Sequence, residues 1–350
     1  MKICFVTATM AGGGAERVIA NLSNELVKRG HEVTILLTAE MCVEYELDSK
    51  IKVMQISERT ASNNLARIKR VKTLRDYFKA HKDVNYISMP TDTNIFVIFA
   101  SLFLGINLIV SERNNPESYS HKKVRDLAYL FIKKIVFQTS TASLCYSKRL
   151  QKKGKIIFNP VTPSLSEPYR GKRNNRIVAV GRLEPQKNHK LLIDAFAMFW
   201  KIHPEYELWI YGKGSLQEDL LKQINNLKIE ENVHLAGFSK NVWSEVSDSA
   251  AYVLSSDYEG MPNSLLEAMS MGMPVISTDC PSGGSAFLIE QDKNGILVPV
   301  GDCEKLCQAM CKIVEDENFT NAIAKQAMQI REKLSIQEIC NQWIAYIEKK

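Results

Sequence analysis

Short apolar runs alternate with amphipathic stretches along almost the whole chain. Residues 3–7 form the first run; Gly12-Gly13-Gly14 follows, then Val18, Ile19, Leu22 and Leu26 at helical spacing, a stop at Gly30 and a second run at 33–37. This order reads as a β-loop-α-β unit, and runs without polar alternation predict a parallel sheet covered on both faces. Further strands are predicted at 84–88, 108–111 and 143–146, completing a doubly wound domain over residues 1–160.

Between Pro160 and Asn175 lie three prolines, a glycine and polar residues without apolar periodicity, so 161–175 is predicted to be a linker. Alternation then restarts, with strands at 177–180, 207–211, 233–236, 251–254 and 274–277 and helices around 190–200, 216–227 and 264–271. The fold class expected is therefore α/β, with a second doubly wound, Rossmann-like domain over 176–335. The two domains are expected to face a cleft that takes the ligand, because strand ends and helix N-termini can both point into it. Residues 336–350 predict a last helix, free to return to the first domain.

Composition narrows the class. A chain of 350 residues exceeds what one core usually organises, and 45% hydrophobic with 24% charged residues excludes a disordered or collagenous chain. The net charge of +6 hides a polarity: residues 1–170 hold 26 Lys and Arg against 15 acids, and residues 171–350 hold 19 against 24. Eight scattered cysteines with no C-x-x-C, and no secretory signal before the run at 3–6, point to a reducing, cytoplasmic setting. Cys303, Cys307 and Cys311 recur at i, i+4 and i+8; Leu306, Met310 and Val314 extend the stripe and no histidine is near in sequence, so they read as core cysteines and not as metal ligands. The uncharged window 93–111 is broken by Gly105 and Asn107 and reads as a buried helix and strand, not a membrane span.

Three segments carry candidate chemistry. Gly12-Gly13-Gly14-Ala15-Glu16-Arg17 opens a helix after a strand, where free N–H groups meet an anion; Arg17 stands where a dinucleotide fingerprint needs glycine. Gly181-Arg182-Leu183-Glu184-Pro185-Gln186-Lys187-Asn188-His189 sets two cations, Arg182 and Lys187, on one loop that can converge on a diphosphate; a merely solvated basic loop is the alternative. Glu259-Gly260-Met261-Pro262-Asn263-Ser264-Leu265-Leu266-Glu267 ends a loop on one carboxylate and places a second one turn inside a helix. Its backbone N–H groups suit a phosphate and its carboxylates suit sugar and ribose hydroxyls, against the plainer reading of a capped surface helix.

In this order the three segments resemble a retaining glycosyltransferase of the GT-B fold, family 4, over nearly the whole chain, with Glu259 and Glu267 separated by seven residues as the family pattern requires. The segments 277–284 and Asn294-Gly295-Ile296-Leu297-Val298-Pro299 extend the likeness. Ser111-Glu112-Arg113-Asn114-Asn115-Pro116, Val136-Phe137-Gln138-Thr139 and Asn159-Pro160 are similar to enzymes that extend lipid-linked oligosaccharides for capsule, exopolysaccharide or glycoprotein assembly. The resemblance implies that Gly13 and Gly14 meet the donor phosphates or the acceptor, Arg182 and Lys187 neutralise the leaving diphosphate, Glu259 holds the donor sugar, Glu267 the ribose, and Phe238 lies at the base. The backbone and side chains of Gly260, Met261, Asn263, Ser264 and Leu265 would complete the donor site. Many members place a histidine near the reaction centre where this chain has Arg113, which is therefore counted with the substrate-binding residues, and no catalytic histidine is assigned.

The reaction expected is metal-independent transfer, with no cofactor, of a hexose or N-acetylhexosamine from a nucleotide diphosphate sugar, UDP-linked, to a hydroxyl of a lipid-linked glycan. No D-x-D pair is present to hold a divalent ion. A nucleotide-sugar 2-epimerase on the same fold is the alternative. Between residues 59 and 82, Arg59, Arg67, Lys69, Arg70, Lys72, Arg75, Lys79 and Lys82 face only Asp76, while Leu65, Ile68, Val71, Leu74 and Phe78 form an apolar stripe. Such a basic amphipathic helix fits a helix packed on the sheet or a peripheral contact with an anionic membrane on its cytoplasmic face; nucleic acid is the weaker alternative.

Overall fold

The computed structural model describes residues 1–56, 64–165 and 167–349, with side chains of the helix Asn64–Ala80 described from Ile68 onward. The chain divides into two compact units, Met1–Pro160 with Ile336–Lys350, and Val161–Ser335. Each carries one wholly parallel sheet. The first comprises β1 (Lys2–Thr7), β2 (Glu32–Leu37), β3 (Lys52–Gln55), β4 (Asn85–Ser88), β5 (Asn107–Ser111), β6 (Lys134–Phe137) and β7 (Gly154–Ile156), in spatial order β3-β2-β1-β4-β5-β6-β7. The second comprises β8 (Asn174–Val180), β9 (Glu207–Tyr211), β10 (Val233–Gly237), β11 (Ser249–Leu254), β12 (Val275–Thr278) and β13 (Ile296–Val298), in order β10-β9-β8-β11-β12-β13. The strand order reverses at β1 in one sheet and at β8 in the other, which creates the crevices that doubly wound folds use for ligands.

The apolar runs explain the sheets. Ile3, Cys4, Phe5 and Val6 are all buried in β1, as a strand with neighbours on both faces demands. The helix Gly14–Lys28 buries Val18, Ile19, Leu22 and Leu26, and Gly30 ends it at a φ of 80°, its N–H donating to Val27 O.

One predicted strand is wrong. Residues 143–146 fall in and just after the helix Ser140–Leu144, begun by Thr139, whose hydroxyl accepts from Ala142 N at 3.0 Å. A strand would put Ala142, Leu144 and Tyr146 on one face, yet Ala142 and Tyr146 are buried and Leu144 is exposed, a spacing of four and not two. The sheet positions are taken by β6 and β7, which were not foreseen, nor were β3 and β13; all four are three or four residues long, too short for a periodicity signal.

The helix Ile336–Glu348 packs within the first unit. Arg29 donates to Gln337 O at 3.0 Å and Asn341 Oδ1 at 2.5 Å, Tyr346 donates to Lys153 O at 2.8 Å, and Trp343 is buried. The stretch 161–173 belongs to the second unit, where Val161 N donates to Leu334 O at 2.8 Å.

The basic helix is only partly the surface element its sequence predicts. Leu74 and Phe78 are in the core, but Ile68 is 70% exposed. Arg70 lies over the Phe96 ring at 5.6 Å, and Arg75 donates to Ala100 O and Leu102 O at 3.1 and 2.7 Å, so both arginines brace the helix Thr91–Ser101. Lys69, Lys72, Lys79 and Lys82 stay exposed; Arg59 lies outside the described residues, as do the side chains of Leu65 and Arg67. The helices Asn64–Ala80, Thr91–Ser101 and Lys122–Tyr129 pack in succession. On them and the segments that follow, Phe99, Phe103, Val124, Leu127 and Phe131 are exposed, Phe103 by 93%. The window 93–111 divides between the helix Thr91–Ser101 and β5, and no helix among the described residues is long and apolar enough to cross a membrane.

Candidate active site

The loops that follow β8 and β11, neighbours at the reversal point of the second sheet, are joined residue by residue. Ser255 Oγ donates to Lys187 O at 2.9 Å, Asp257 N to Gln186 O at 2.9 Å, Gln186 Nε2 to Tyr258 O at 2.9 Å, and Asn188 Nδ2 to Asp257 Oδ1 at 2.7 Å. Asn188 holds a left-handed backbone with φ at 43° while its side chain caps Leu191 N, so one residue both turns the loop and starts the helix His189–Trp200.

This joining brings Lys187 to Glu259, with Nζ 2.5 Å from Oε1 and both side chains largely buried. The same carboxylate accepts from Ser256 Oγ at 2.7 Å and from Gln186 Nε2 at 3.3 Å. A buried ion pair needs such extra hydrogen bonds to offset the loss of water. Ser256 is held in turn through its carbonyl, which accepts from Thr278 Oγ1 at 2.6 Å and Cys280 Sγ at 3.3 Å. Arg182, on the same loop, is exposed, with a long 3.4 Å hydrogen bond to Gln186 Oε1. His189 is buried, and burial together with the Lys187 charge lowers its pKa to about 4, so it is a neutral imidazole.

Glycines make the close approaches. A Cβ on Gly284 would clash with Gly260 O, so the backbone next to Glu259 rests against the start of the helix Gly284–Leu288. A Cβ on Gly212, at a φ of 154°, would clash with Gly181 O, and one on Gly214 with the Leu183 backbone. The loop 212–215 is thus pressed against 181–184, where Leu183 N donates to Lys213 O at 3.0 Å and Ser215 N to Glu184 Oε1 at 2.9 Å. This second loop is outside the three segments singled out above, although its G-x-G directly after a strand is a signal.

The helix Asn263–Ser270 starts at Pro262, whose side chain cannot cap it. The side chains of Met261 and Leu265 are buried, and Ser264 Oγ accepts from Tyr252 OH at 2.8 Å. Glu267 is not in the Lys187–Glu259 cluster. It is 2% exposed, with Oε1 accepting from Thr162 Oγ1 at 2.6 Å and Oε2 from Trp243 Nε1 at 3.0 Å. Phe238 follows Gly237, whose φ is 74°, and is 64% exposed, a flat apolar face open to stacking.

Gly13, Gly14 and Arg113 lie in the first unit. Gly13 is the N-cap of its helix and its carbonyl accepts from Tyr45 OH at 2.7 Å. Gly12 N donates to the Glu44 carboxylate at 2.9 Å, and a Cβ on Gly13 would meet the Glu16 carboxylate. Two acids beside this loop favour hydroxyl groups over phosphate there.

Arg113, just past β5, is 6% exposed. Its Nη1 donates to Asn159 Oδ1 at 2.6 Å, and that oxygen also accepts from Gln138 Nε2 at 2.9 Å. Nε and Nη2 have no partner among the described residues, and the guanidinium sits 5.7 Å from the Trp343 ring, whose own N–H is also unpartnered. Burial without a counter-ion lowers the Arg113 pKa to about 9. The adjacent Glu112 is satisfied elsewhere, accepting from Thr91 Oγ1 at 3.1 Å, Tyr146 OH at 2.7 Å and Tyr129 OH. Trp343 was not foreseen at this position, since no local pattern ties residue 343 to residue 113.

Known proteins resemble the chain throughout. The family described as glycosyl transferases group 1 matches residues 166–330, and Glycosyltransferase Family 4 matches residues 12–153. The Campylobacter jejuni GalNAc-alpha-(1->4)-GalNAc-alpha-(1->3)-diNAcBac-PP-undecaprenol alpha-1,4-N-acetyl-D-galactosaminyltransferase is 30% identical, covering 99% of this chain and 98% of the relative. A second enzyme of that organism, N-acetylgalactosamine-N,N'-diacetylbacillosaminyl-diphospho-undecaprenol 4-alpha-N-acetylgalactosaminyltransferase, is 26% identical over 93% of each chain. The crystal structure of Anabaena HepE in complex with UDP and glucose superimposes with a TM-score of 0.86 at 20% identity, covering 100% of both chains. None of these three relatives is named as an epimerase. Two parallel, doubly wound sheets and matches over both halves lead to one conclusion: the chain belongs to the family 4 glycosyltransferases of the GT-B fold.

Proposed function

We propose that this glycosyltransferase moves a hexose or N-acetylhexosamine, with retention, from a UDP-linked donor to a hydroxyl of a polyprenyl-diphosphate-linked glycan. The observation that carries the donor half is the joining of the β8 and β11 loops, which sets Lys187 against Glu259 at the sheet's reversal point. Departure of a nucleoside diphosphate develops negative charge on its β-phosphate. Arg182, Lys187 and the N-terminal turn of the helix Asn263–Ser270, through the backbone of Asn263, Ser264 and Leu265, are the groups assigned to receive it. Fixed cations at that oxygen do the work a divalent ion would do, so turnover is expected without added metal. Glu259, with Gly260 and Met261 fixing its backbone, holds donor sugar hydroxyls; Glu267 holds the ribose, and Phe238 stacks on the base.

The first unit takes the acceptor in this reading. The loop that carries Gly13 and Gly14 has two carboxylates beside it, at Gly12 and Gly13, suited to sugar hydroxyls, and the Nε–H and Nη2 groups of Arg113, without a partner among the described residues, suit an acceptor oxygen or phosphate. The names of the Campylobacter relatives supply the acceptor class, a saccharide on diphospho-undecaprenol. Such an acceptor is at a bilayer, and the exposed Phe103, Leu127 and Phe131, together with the exposed Lys69, Lys72 and Lys79 of the basic helix in the same run of packed helices, fit a peripheral contact with anionic lipid on the cytoplasmic face. Arg70 and Arg75 are turned inward, which leaves the nucleic-acid alternative without two of its cations.

A donor panel of UDP- and GDP-sugars, with undecaprenyl-diphosphate-linked saccharide as acceptor, tests this reading. Transfer from a UDP-sugar with retained anomeric configuration supports it. Conversion of the donor to its epimer without transfer, or strict dependence on lipid-free acceptors, would overturn it.

A further inference from the structure

The cysteine stripe on the helix Cys303–Glu315 acquires a partner that its sequence neighbourhood lacks. His203, in the turn after the helix His189–Trp200, comes to Cys311 and Glu315, and one ligand atom from each lies within 4.8 Å of the others. His203 Nε2 is 2.9 Å from Glu315 Oε1, while Nδ1 faces Glu205 Oε1 at 3.8 Å. Cys307, Cys311 and Glu315 line one surface cavity.

We propose that Cys311, His203 and Glu315 form a binding site for a divalent transition metal of the zinc class, with water as the remaining ligand. Residues four apart rise about 6 Å along a helix and drift by about 40° around it, so 311 and 315 present their side chains on one edge. A third ligand must then come from outside the helix, and His203 supplies it. A thiol, an imidazole and a carboxylate make a donor set that suits zinc over magnesium or calcium, which prefer oxygen. Tetrahedral zinc with bonds of about 2.0–2.3 Å sets its ligands roughly 3.3–3.8 Å apart, so side-chain adjustments on the order of 1 Å bring these three ligand atoms, already within 4.8 Å of one another, onto one metal.

The surroundings of His203 are those of a metal-binding imidazole. One ring nitrogen points into the cluster and the other faces a carboxylate, the outer partner that fixes tautomer and ring orientation. Phe199 lies against the ring at 5.0 Å between centroids, and His203 N donates to Phe199 O at 3.0 Å. The site lies at the end of the helix His189–Trp200 away from Lys187. The metal therefore ties the loop after that helix to the helix Cys303–Glu315 and takes no part in transfer.

Cobalt(II) titration of the full chain, purified under reducing conditions, tests this. One equivalent should bind with thiolate-to-cobalt charge-transfer absorption and the strong visible bands of a tetrahedral centre, both bleached by one equivalent of zinc. Cys311→Ser, at a half-buried position, should lose nearly all of the charge-transfer intensity, and His203→Ala should weaken binding by about tenfold or more, while Cys145→Ser leaves both unchanged. Zinc should also raise the melting midpoint of the wild type and not that of His203→Ala. A wild-type protein that binds cobalt without charge-transfer absorption overturns the site. So does a Cys311→Ser protein of native far-UV circular dichroism that keeps the full band.

Discussion

Lys187 and Glu259 are 72 residues apart in sequence and 2.5 Å apart in space, a buried ion pair whose cation is assigned to the leaving phosphate and whose anion is assigned to the sugar. Each holds the other in place until substrate competes for both. Glu259→Gln keeps the shape but releases Lys187 to a phosphate. UDP affinity is therefore expected to hold or rise, while kcat falls by about 100-fold or more. Lys187→Met should weaken UDP binding and transfer together. Calorimetry with UDP beside initial-rate kinetics separates the two, and unchanged kcat in Glu259→Gln would remove that residue from the reaction.

Arg113 is a buried cation with no carboxylate partner among the described residues, so its place is unfavourable to the fold. Arg113→Met is expected to leave the melting midpoint unchanged or raise it by about 2–4 °C, and to lower transfer to the lipid-linked acceptor. Arg113→Lys should not restore activity, because one ammonium cannot reproduce a fork anchored on Asn159. Calorimetric melting and acceptor KM are the readouts.

His189 links stability to pH. Its folded pKa of about 4 lies below the ordinary value of 6.5, so between these the unfolded chain binds a proton that the native state refuses. Stability is full above pH 6.5 and is lost as pH falls toward 4, by on the order of 3 kcal/mol from this group. Urea titrations at pH 7.5, 6, 5 and 4.5 should show the loss, and it should be smaller in His189→Phe.

Phe103, Leu127 and Phe131 leave apolar surface in water on the unit that also exposes Lys69, Lys72 and Lys79. Phe103→Ser is expected to reduce partition onto vesicles rich in anionic lipid by about tenfold, from roughly 1.5 kcal/mol of lost burial. The triple change Lys69→Gln, Lys72→Gln, Lys79→Gln should remove the salt-sensitive part at about 1 kcal/mol per lysine. Co-sedimentation at low and high salt measures both, and wild-type binding indifferent to salt and lipid charge would sink the idea.

Gly284→Ala should act on the site without touching it. The added methyl would push on Gly260 O and move the backbone that carries Glu259. A fall in kcat with donor affinity less affected is expected, since a displacement of about 1 Å can cost about 100-fold in rate.

The fold was legible wherever the signal was local and long enough. Glu259 to Glu267 and Gly181 to His189 each lie within nine residues, so their loops could be read, but their joining through Asp257 and Gln186 could not. Strands of three or four residues such as β7 carry no period, and without that signal the stretch 143–146 reads as a strand. Arg70 and Arg75 looked like surface cations because their acceptors, Phe96 and the carbonyls of Ala100 and Leu102, lie on another helix. Trp343 on Arg113 and His203 on Cys311 are contacts between distant segments, which residue type alone does not announce.

The return of the helix Ile336–Glu348 to the first unit inverts the order in which the two units can mature during synthesis. Val161–Ser335 is contiguous and can fold as soon as it clears the ribosome. The first unit, although its sheet is made earlier, lacks Trp343 and Tyr346 until translation has passed them. Until then it holds an apolar bed open beside Ile135 and Lys153. Chains halted before residue 336 should therefore be bound by chaperones through the earlier half, not the later one.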